Sequence, residues 1–383
     1  MSMLLFMPWC PIDSEYEVGD IKILSYNPDG VINGLDKIMQ RRVKKIMATY
    51  KDIEGNPVRK AAIVCKINKA VTDNLSDDDI DIAQELVTLA CFAGLAKREY
   101  FNSLGPYCNS DCFSLYIQKF DKADFTGLRS RRREGRTLSG WPISDITITI
   151  PVHSHTIRDV SLDTELLNAL IKYRANLQSS NWGRWQNAIS CFNQANTDSD
   201  NVRYQMEWVL LCSAFEHIME SKPMAKAAAD KFVDVLTPSS QLLVKDSTRL
   251  SNKQEKTSRS IRYEWMKEFY RIRGDYAHGR LNTKQSIVWQ PLEHLVLASI
   301  AFPLVIKTFL SRSGKYNMTD IDQAQIDCFE HFADTNKFLE PPTNRKSSLD
   351  AHWNRLIRKQ RYKISVERGV NRLRNLRESA QPE

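Results

Sequence analysis

Ser260-Ile-Arg-Tyr-Glu-Trp-Met-Lys-Glu-Phe-Tyr-Arg-Ile-Arg-Gly-Asp-Tyr-Ala-His278 carries its apolar residues at Ile261, Trp265, Phe269, Ile272 and Tyr276, at intervals of four, four, three and four. Only a chain turning once every ~3.6 residues gathers those positions on one side. The stretch therefore predicts a helix with one buried face. Arg271, Arg273, Asp275 and His278 fall off that face, and Gly279 stands where a helix C-cap is expected. A helix buried along one stripe needs partners of the same kind. The flanking sequence supplies them. Leu162 to Leu177, Trp182 to Asn196, Val202 to Met219 and Lys222 to Leu236 precede it with the same period, and Asp163 or Thr164 can cap the first. Ser286 to Leu310 follows, started or kinked by Pro291 and Pro303, then a shorter segment from Asp320 to Asn336. Residues 156–340 are thus expected to form an all-α bundle.

Before His155 the period is two. Met3 to Met7, Ile21 to Tyr26, Ala61 to Ile67, Cys112 to Phe120 and the alternating Ile146 to Val152 read as strands. One helix interrupts them, opened by Asp78 and its acidic neighbours and running to about Tyr100. Residues 1–155 are expected to be an α+β domain with a sensing or regulatory role. It contains no glycine-rich phosphate loop, dinucleotide fingerprint or hydrolase elbow. His153 and His155 alternate on its last strand, where they either share a ligand or face solvent.

A length of 383 residues suits two domains, and 42% hydrophobic with 26% charged residues describes an ordinary globular chain. The first ten residues lack a basic start and meet Pro8, so they read as a strand rather than an export signal; a cytoplasmic location is expected. The apolar run from Leu295 to Ile306, broken by Pro303, is shorter than the ~20 residues of a membrane span, and no membrane partner is expected. Eight cysteines show no paired spacing, so reduced thiols are expected and no metal or cofactor site is implied. Residues 341–383 hold eleven Lys or Arg against four Asp or Glu, which is +7 of the net +8. This tail, with apolar residues at helical intervals from Trp353 to Leu376, predicts a basic amphipathic helix. Its Arg358 and Arg361 either contact nucleic acid or stay solvated on a docked helix. Arg131, Arg132 and Arg133 lie in a second basic segment, Arg129 to Arg136, which reads as a loop, solvated or phosphate-contacting. Trp182 and Trp185 are packing residues or a base-stacking platform.

The chemistry concentrates at Arg271-Ile-Arg-Gly-Asp-Tyr-Ala-His-Gly-Arg280. Histidine exchanges protons near neutrality, and a guanidinium holds a phosphate or the charge that builds on it. At the end of a helix the backbone dipole stabilises the imidazolium. On a regular helix, at about 100° per residue, Arg271 comes nearly in line with His278, while Arg273 is about 140° away. Arg273 would join His278 if the helix were distorted at Gly274 or if a partner chain supplied it. Arg271 is also four residues before Asp275, a spacing for a surface ion pair. Arg280 follows as a phosphate contact.

Arg273-Gly-Asp-Tyr-Ala-His278-Gly279, on the penultimate helix of a bundle, resembles the Arg-x4–6-His motif of HEPN domains. Arg184 to Asn193 and Trp208 to Glu216 are similar to the helices that precede the motif in the larger, ApeA-like members. The resemblance covers residues 160–312. It implies a metal-independent endoribonuclease acting as a homodimer, with RNA as substrate and no cofactor, of the kind found in toxin–antitoxin and anti-phage abortive-infection systems. An antitoxin or a phage-derived trigger is the partner it implies. Carried over by position, His278 is the general acid/base and Arg273 stabilises the phosphorane, with Arg271 also admitted by the family spacing. Gly274 stands where the family often has a polar residue, and Asp275 comes one place late. Glu216 is either an orienting acid at the same cleft or a surface carboxylate. The alternative is a non-catalytic bundle that binds RNA or a nucleotide.

Overall fold

The computed structural model describes residues 2–101, 105–121, 124–155, 157–176, 179–250, 258–277, 287–335 and 351–379. The chain divides into two compact units, the first comprising residues 1–99, 105–176 and 196–202, the second 100–104, 177–195 and 203–383. The first unit is α+β and the second mostly helical. The expected boundary at residue 155 is passed by the first unit, which keeps the next helix.

In the first unit the elements run β1 (Ser2–Met7), β2 (Tyr16–Val18), β3 (Ile21–Tyr26), α1 (Lys37–Met47), β4 (Tyr50–Lys51), β5 (Ala61–Lys66), α2 (Asp77–Lys97), β6 (Tyr116–Phe120), β7 (Phe125–Arg132), β8 (Gly135–Pro142), β9 (Ile148–Thr149) and α3 (Thr164–Asn176). Seven strands form one antiparallel sheet in the order β2-β3-β5-β1-β6-β7-β8. From Met3 onward β1 is apolar because both of its faces are covered. Leu4 and Phe6 point to α1, packing with Val43, Ile46, Met47 and Tyr50. Leu5, one position out of phase, lies with Val64 and Ile21 beneath Ala83 of α2. α3 is tied to α2 by Arg174, whose guanidinium grips Glu85 at 2.8 and 2.7 Å. Asp163 caps α3, its carboxylate accepting from Leu166 N at 3.1 Å.

Four expectations are corrected in this unit. The alternation from Ile146 to Val152 yields only the two-residue β9, paired in parallel with β4, because its partner is equally short and Pro151 ends the ladder. Val152–Ser154 is a single 3-10 turn, so His153 and His155 do not share a strand face; His153 bonds Asp111 and His155 is exposed. Cys112 and Phe113, where the strand was expected to start, belong to a 3-10 turn over Ser110–Phe113, and pairing starts at Tyr116. Finally, Arg129 to Arg136 is a hairpin, not a loop: β7 and β8 pair from Phe125↔Pro142 to Arg132↔Gly135 around a turn at Arg133 and Glu134. Gly135, at φ 139°, supplies the backbone angle that closes it. α1 gave no clear sequence signal, since only Val43, Ile46 and Met47 of its eleven residues are buried.

The second unit contains α4 (Ser179–Gln194), α5 (Tyr204–Met219), α6 (Ala225–Val235), α7 (Ile261–Ala277), α8 (Pro291–Arg312), α9 (Asp320–Ala333) and α10 (His352–Ser379). Ile261, Trp265, Phe269 and Ile272 of the stripe in α7 are buried, and the rings of Trp265 and Phe269 stack at 5.5 Å. α8 opens with Pro291 in its first turn, where a missing N–H costs nothing, and continues through Pro303. At 22 residues it is longer than the apolar run expected, and by length and composition alone it is long and apolar enough to cross a membrane; 78% of its apolar window is buried inside the protein. α10 is the helix expected of the basic tail. Trp353 and Ile364 are buried, Gln360 donates to Asp327 of α9 at 2.9 Å, and Arg358 and Arg361 are exposed. Trp182 and Trp185 are buried, as packing residues are. All eight cysteines are free thiols, and among the described residues no His, Cys, Asp and Glu cluster is arranged to hold a metal ion.

Candidate functional site

The site forms where the last two turns of α7 meet α5 and the start of α8. Trp208 of α5 fixes that contact. Its ring stacks on Phe269 at 5.2 Å and its Nε1–H donates to Phe269 O at 2.9 Å, while Tyr270 Oη–H donates to Cys212 O at 2.9 Å. One turn beyond Phe269 is Arg273, and one turn beyond Cys212 is Glu216. The two side chains therefore meet. Arg273 presents Nη2 to Glu216 Oε2 at 3.0 Å and Nη1 to Oε1 at 2.9 Å. The side chains are 26% and 19% exposed, so the pair is sheltered but reachable from solvent. Burial pushes the Glu216 carboxyl above its ordinary value, against the pull of Arg273 and His217. Arg273 Nε is buried without a hydrogen-bond partner. Its guanidinium still has donor capacity to offer an incoming oxygen.

Around the axis of α7 lies a second acid. Glu268 accepts from Val288 N at 2.9 Å and Trp289 N at 3.1 Å, and His294 Nε2 lies 3.2 Å from its Oε1. A carboxylate only accepts, so that nitrogen carries the ring proton and Nδ1 is left as a buried acceptor without a partner. His294 is enclosed by Trp208, Trp265, Phe269 and Trp289. Burial holds it below the ordinary imidazole value despite Glu268. Burial acts upward on Glu268, but His294 and the two backbone N–H groups outweigh it and the carboxyl ends lowered. Glu268 thus pins the far end of the segment that joins α7 to α8. Arg271 approaches the same acid, its Nη2 4.0 Å from Glu268 Oε2.

Of the residues singled out in the sequence, Arg273 and Glu216 are brought together. Arg271 points to Glu268 instead, and Asp275 is half-buried near Tyr276. α7 runs unbroken through Gly274 to Ala277, with no distortion that would swing Arg273 round. His278, Gly279 and Arg280 lie outside the described residues. Arg131 and Arg132 are on β7, Arg133 is exposed in the hairpin turn, and Arg358 and Arg361 are on α10. Glu268 and His294 were not anticipated. Glu268 carried a signal: it falls within about 20° of Ile261 around the axis, a carboxylate on the apolar stripe, and such a group needs buried partners. His294 had none, sitting among apolar residues of α8. No protein-family model, curated protein or solved structure matches this chain.

Proposed function

We propose that the chain is a metal-independent endoribonuclease of the HEPN kind, working as a homodimer with Arg273 and His278 of each copy at a shared cleft. The observation that carries this reading is Arg273, in the last turns of α7: sheltered, with an unpartnered Nε, and five residues before His278 in the sequence. In the reaction one His278 takes the proton of a ribose 2′-OH. The 2′-oxygen bonds to the adjacent phosphorus, the bond to the 5′-oxygen breaks, and the other copy's His278 returns a proton to the leaving oxygen. The products are a 2′,3′-cyclic phosphate and a 5′-hydroxyl. Arg273 stabilises the added charge on the phosphorane, an effect worth about 2.7–4 kcal/mol for comparable groups. Glu216 orients that guanidinium. A nuclease of this type acts in the cytoplasm as a toxin or anti-phage abortive-infection effector, with the α+β unit sensing the trigger or restraining the cleft. Incubation with RNA in EDTA tests it: cleavage persists in the wild type and is lost in His278→Ala, whereas cleavage unchanged by that substitution sinks the reading.

One observation favours a second reading. Glu216 occupies both Nη groups of Arg273, which suits a bundle that binds RNA or a nucleotide without cutting it. Binding that survives His278→Ala, with no cyclic phosphate formed by the wild type, would select it.

A further inference from the structure

The β7–β8 hairpin of the first unit carries a surface that the cleft on α7 does not use. Residues directly paired across antiparallel strands share a face. The pairs Lys119↔Gly127, Gly127↔Gly140, Arg129↔Leu138, Arg131↔Arg136 and Phe125↔Pro142 therefore put Lys119, Arg129, Arg136, Leu138 and Phe125 on one side of the sheet. At its basic end Lys119, Arg129 and Arg136 line an open cavity of about 420 Å³. Asp77 holds Arg129 at 3.0 Å and Asp81 holds Arg136 at 2.5 Å, while Lys119 has no ion-pair partner among the described residues. Three cations face two carboxylates there. From Phe125 to Pro142 the chain has five arginines and one glutamate.

At the other end the face is apolar and flat. A Cβ on Gly140 would stand 2.4 Å from the Phe125 ring, and one on Gly127 would stand 2.9 Å from Leu138. Each side chain thus lies down over a glycine, yet Phe125 is 45% and Leu138 49% exposed. An exposed ring laid on bare backbone, beside cations, is the arrangement that stacks a base while its phosphates are neutralised. Arg129 and Phe125 are four residues apart, ~14 Å along the strand. A single small anion in the cavity would leave Phe125 unused; a strand running along the hairpin meets both ends.

We infer that this face binds single-stranded RNA, with phosphates at Lys119, Arg129 and Arg136 and a base on Phe125. The choice of RNA rests on the nuclease reading. The test uses full-length His278→Ala, so that the strand stays intact, and a labelled single-stranded RNA of about twelve nucleotides, within the site sizes of such grooves. Fluorescence anisotropy is read across a salt series. Lys119→Glu is expected to weaken binding about tenfold or more and to lower the salt slope by about one. Phe125→Ser is expected to weaken it roughly fivefold or more, the lower end of one stacked base, with Phe125→Trp restoring it. Asp77→Asn, which removes a competing carboxylate, should tighten it. Affinity unchanged in both Lys119→Glu and Phe125→Ser overturns the inference. So does saturation of the cavity by tripolyphosphate without RNA binding, or a Phe125→Ser effect confined to self-association, which would make β8 a protein-pairing edge. The two readings fail separately: hairpin-dependent binding without cleavage by the wild type sinks only the nuclease, and hairpin-independent cleavage sinks only this site.

Discussion

Arg262 and Arg273 stand three turns apart on α7, each paired with one glutamate, and the helix uses them differently. Arg262 and its partner Glu330 are both 1% exposed. Its Nε donates to Glu330 at 2.7 Å, Nη2 to Ile326 O at 3.2 Å, and Nη1 to Leu236 O, while Leu242 N donates to the same carboxylate at 2.6 Å. Every nitrogen is spent. Arg273 is opened to solvent, grips Glu216 alone and keeps an idle Nε. A saturated buried pair holds helices in register; an unsaturated, sheltered one can change partners when a phosphate arrives. The difference lies in position along α7. The first turns are enclosed by α6 and α9, whereas the last turns face α5 through Arg273 and Tyr276.

The largest expected effect is at the closed end. Arg262→Met leaves Glu330 buried without its cation, and breaking such a pair costs about 3–5 kcal/mol. Urea denaturation should show that loss, and a loss below ~1 kcal/mol would mean the pair is not buried in solution. Next comes the pH response of the acid beneath the site. His294 has its folded pKa lowered from 6.5, so below about 6.5 the unfolded chain binds the extra proton and stability falls as pH drops. Glu268 is lowered from 4.5; its contribution is present above about 4.5 and is lost as pH falls through its folded value. His294→Phe should flatten the first limb, below about pH 6.5, and shrink the second, because it removes the main partner that lowers Glu268. Identical limbs in variant and wild type would contradict the buried placement of His294.

At the open end the same kind of change should hardly touch stability. Arg273→Ala is expected to shift urea stability by no more than ~1 kcal/mol, as for partly exposed pairs, while lowering the proposed activity roughly 10²–10³-fold. A stability loss equal to that of Arg262→Met would erase the contrast between the two arginines. The smallest effect is at Gly274. A Cβ there would meet nothing within 4 Å, and the helix is regular. Gly274→Ala should therefore stabilise by roughly 0.5–1 kcal/mol. Destabilisation would indicate that this position bends in solution.

Helices α4 to α7 of the second unit were readable because each buries a stripe, and a stripe is written every three or four residues; the apolar positions Val366, Val370 and Leu373 of α10 are exposed instead. Also readable were β1 and β5, apolar enough to be covered on both faces, and β3, which alternates buried and more open positions. α1 was hidden because only three of its residues are buried. β7 and β8 were hidden because serine, glycine and arginine dominate them and their pairing partners are each other, a fact that no single strand carries. In the candidate site, Arg273 and Glu216 could be named from sequence, but their meeting depends on the Trp208–Phe269 contact. The role of His294 is wholly tertiary: four aromatic side chains from α5, α7 and the approach to α8 make its environment.

The measurement that bears most directly on Arg273 and His278 is the yield of 2′,3′-cyclic phosphate ends from RNA in EDTA, compared among wild type, Arg273→Ala, Arg271→Ala and His278→Ala. A catalytic Arg273 predicts cyclic ends from the wild type, a fall of roughly 10²–10³ for Arg273→Ala, loss in His278→Ala, and near-normal yield from Arg271→Ala. No cyclic phosphate from the wild type, or equal yields from wild type and Arg273→Ala, would contradict it.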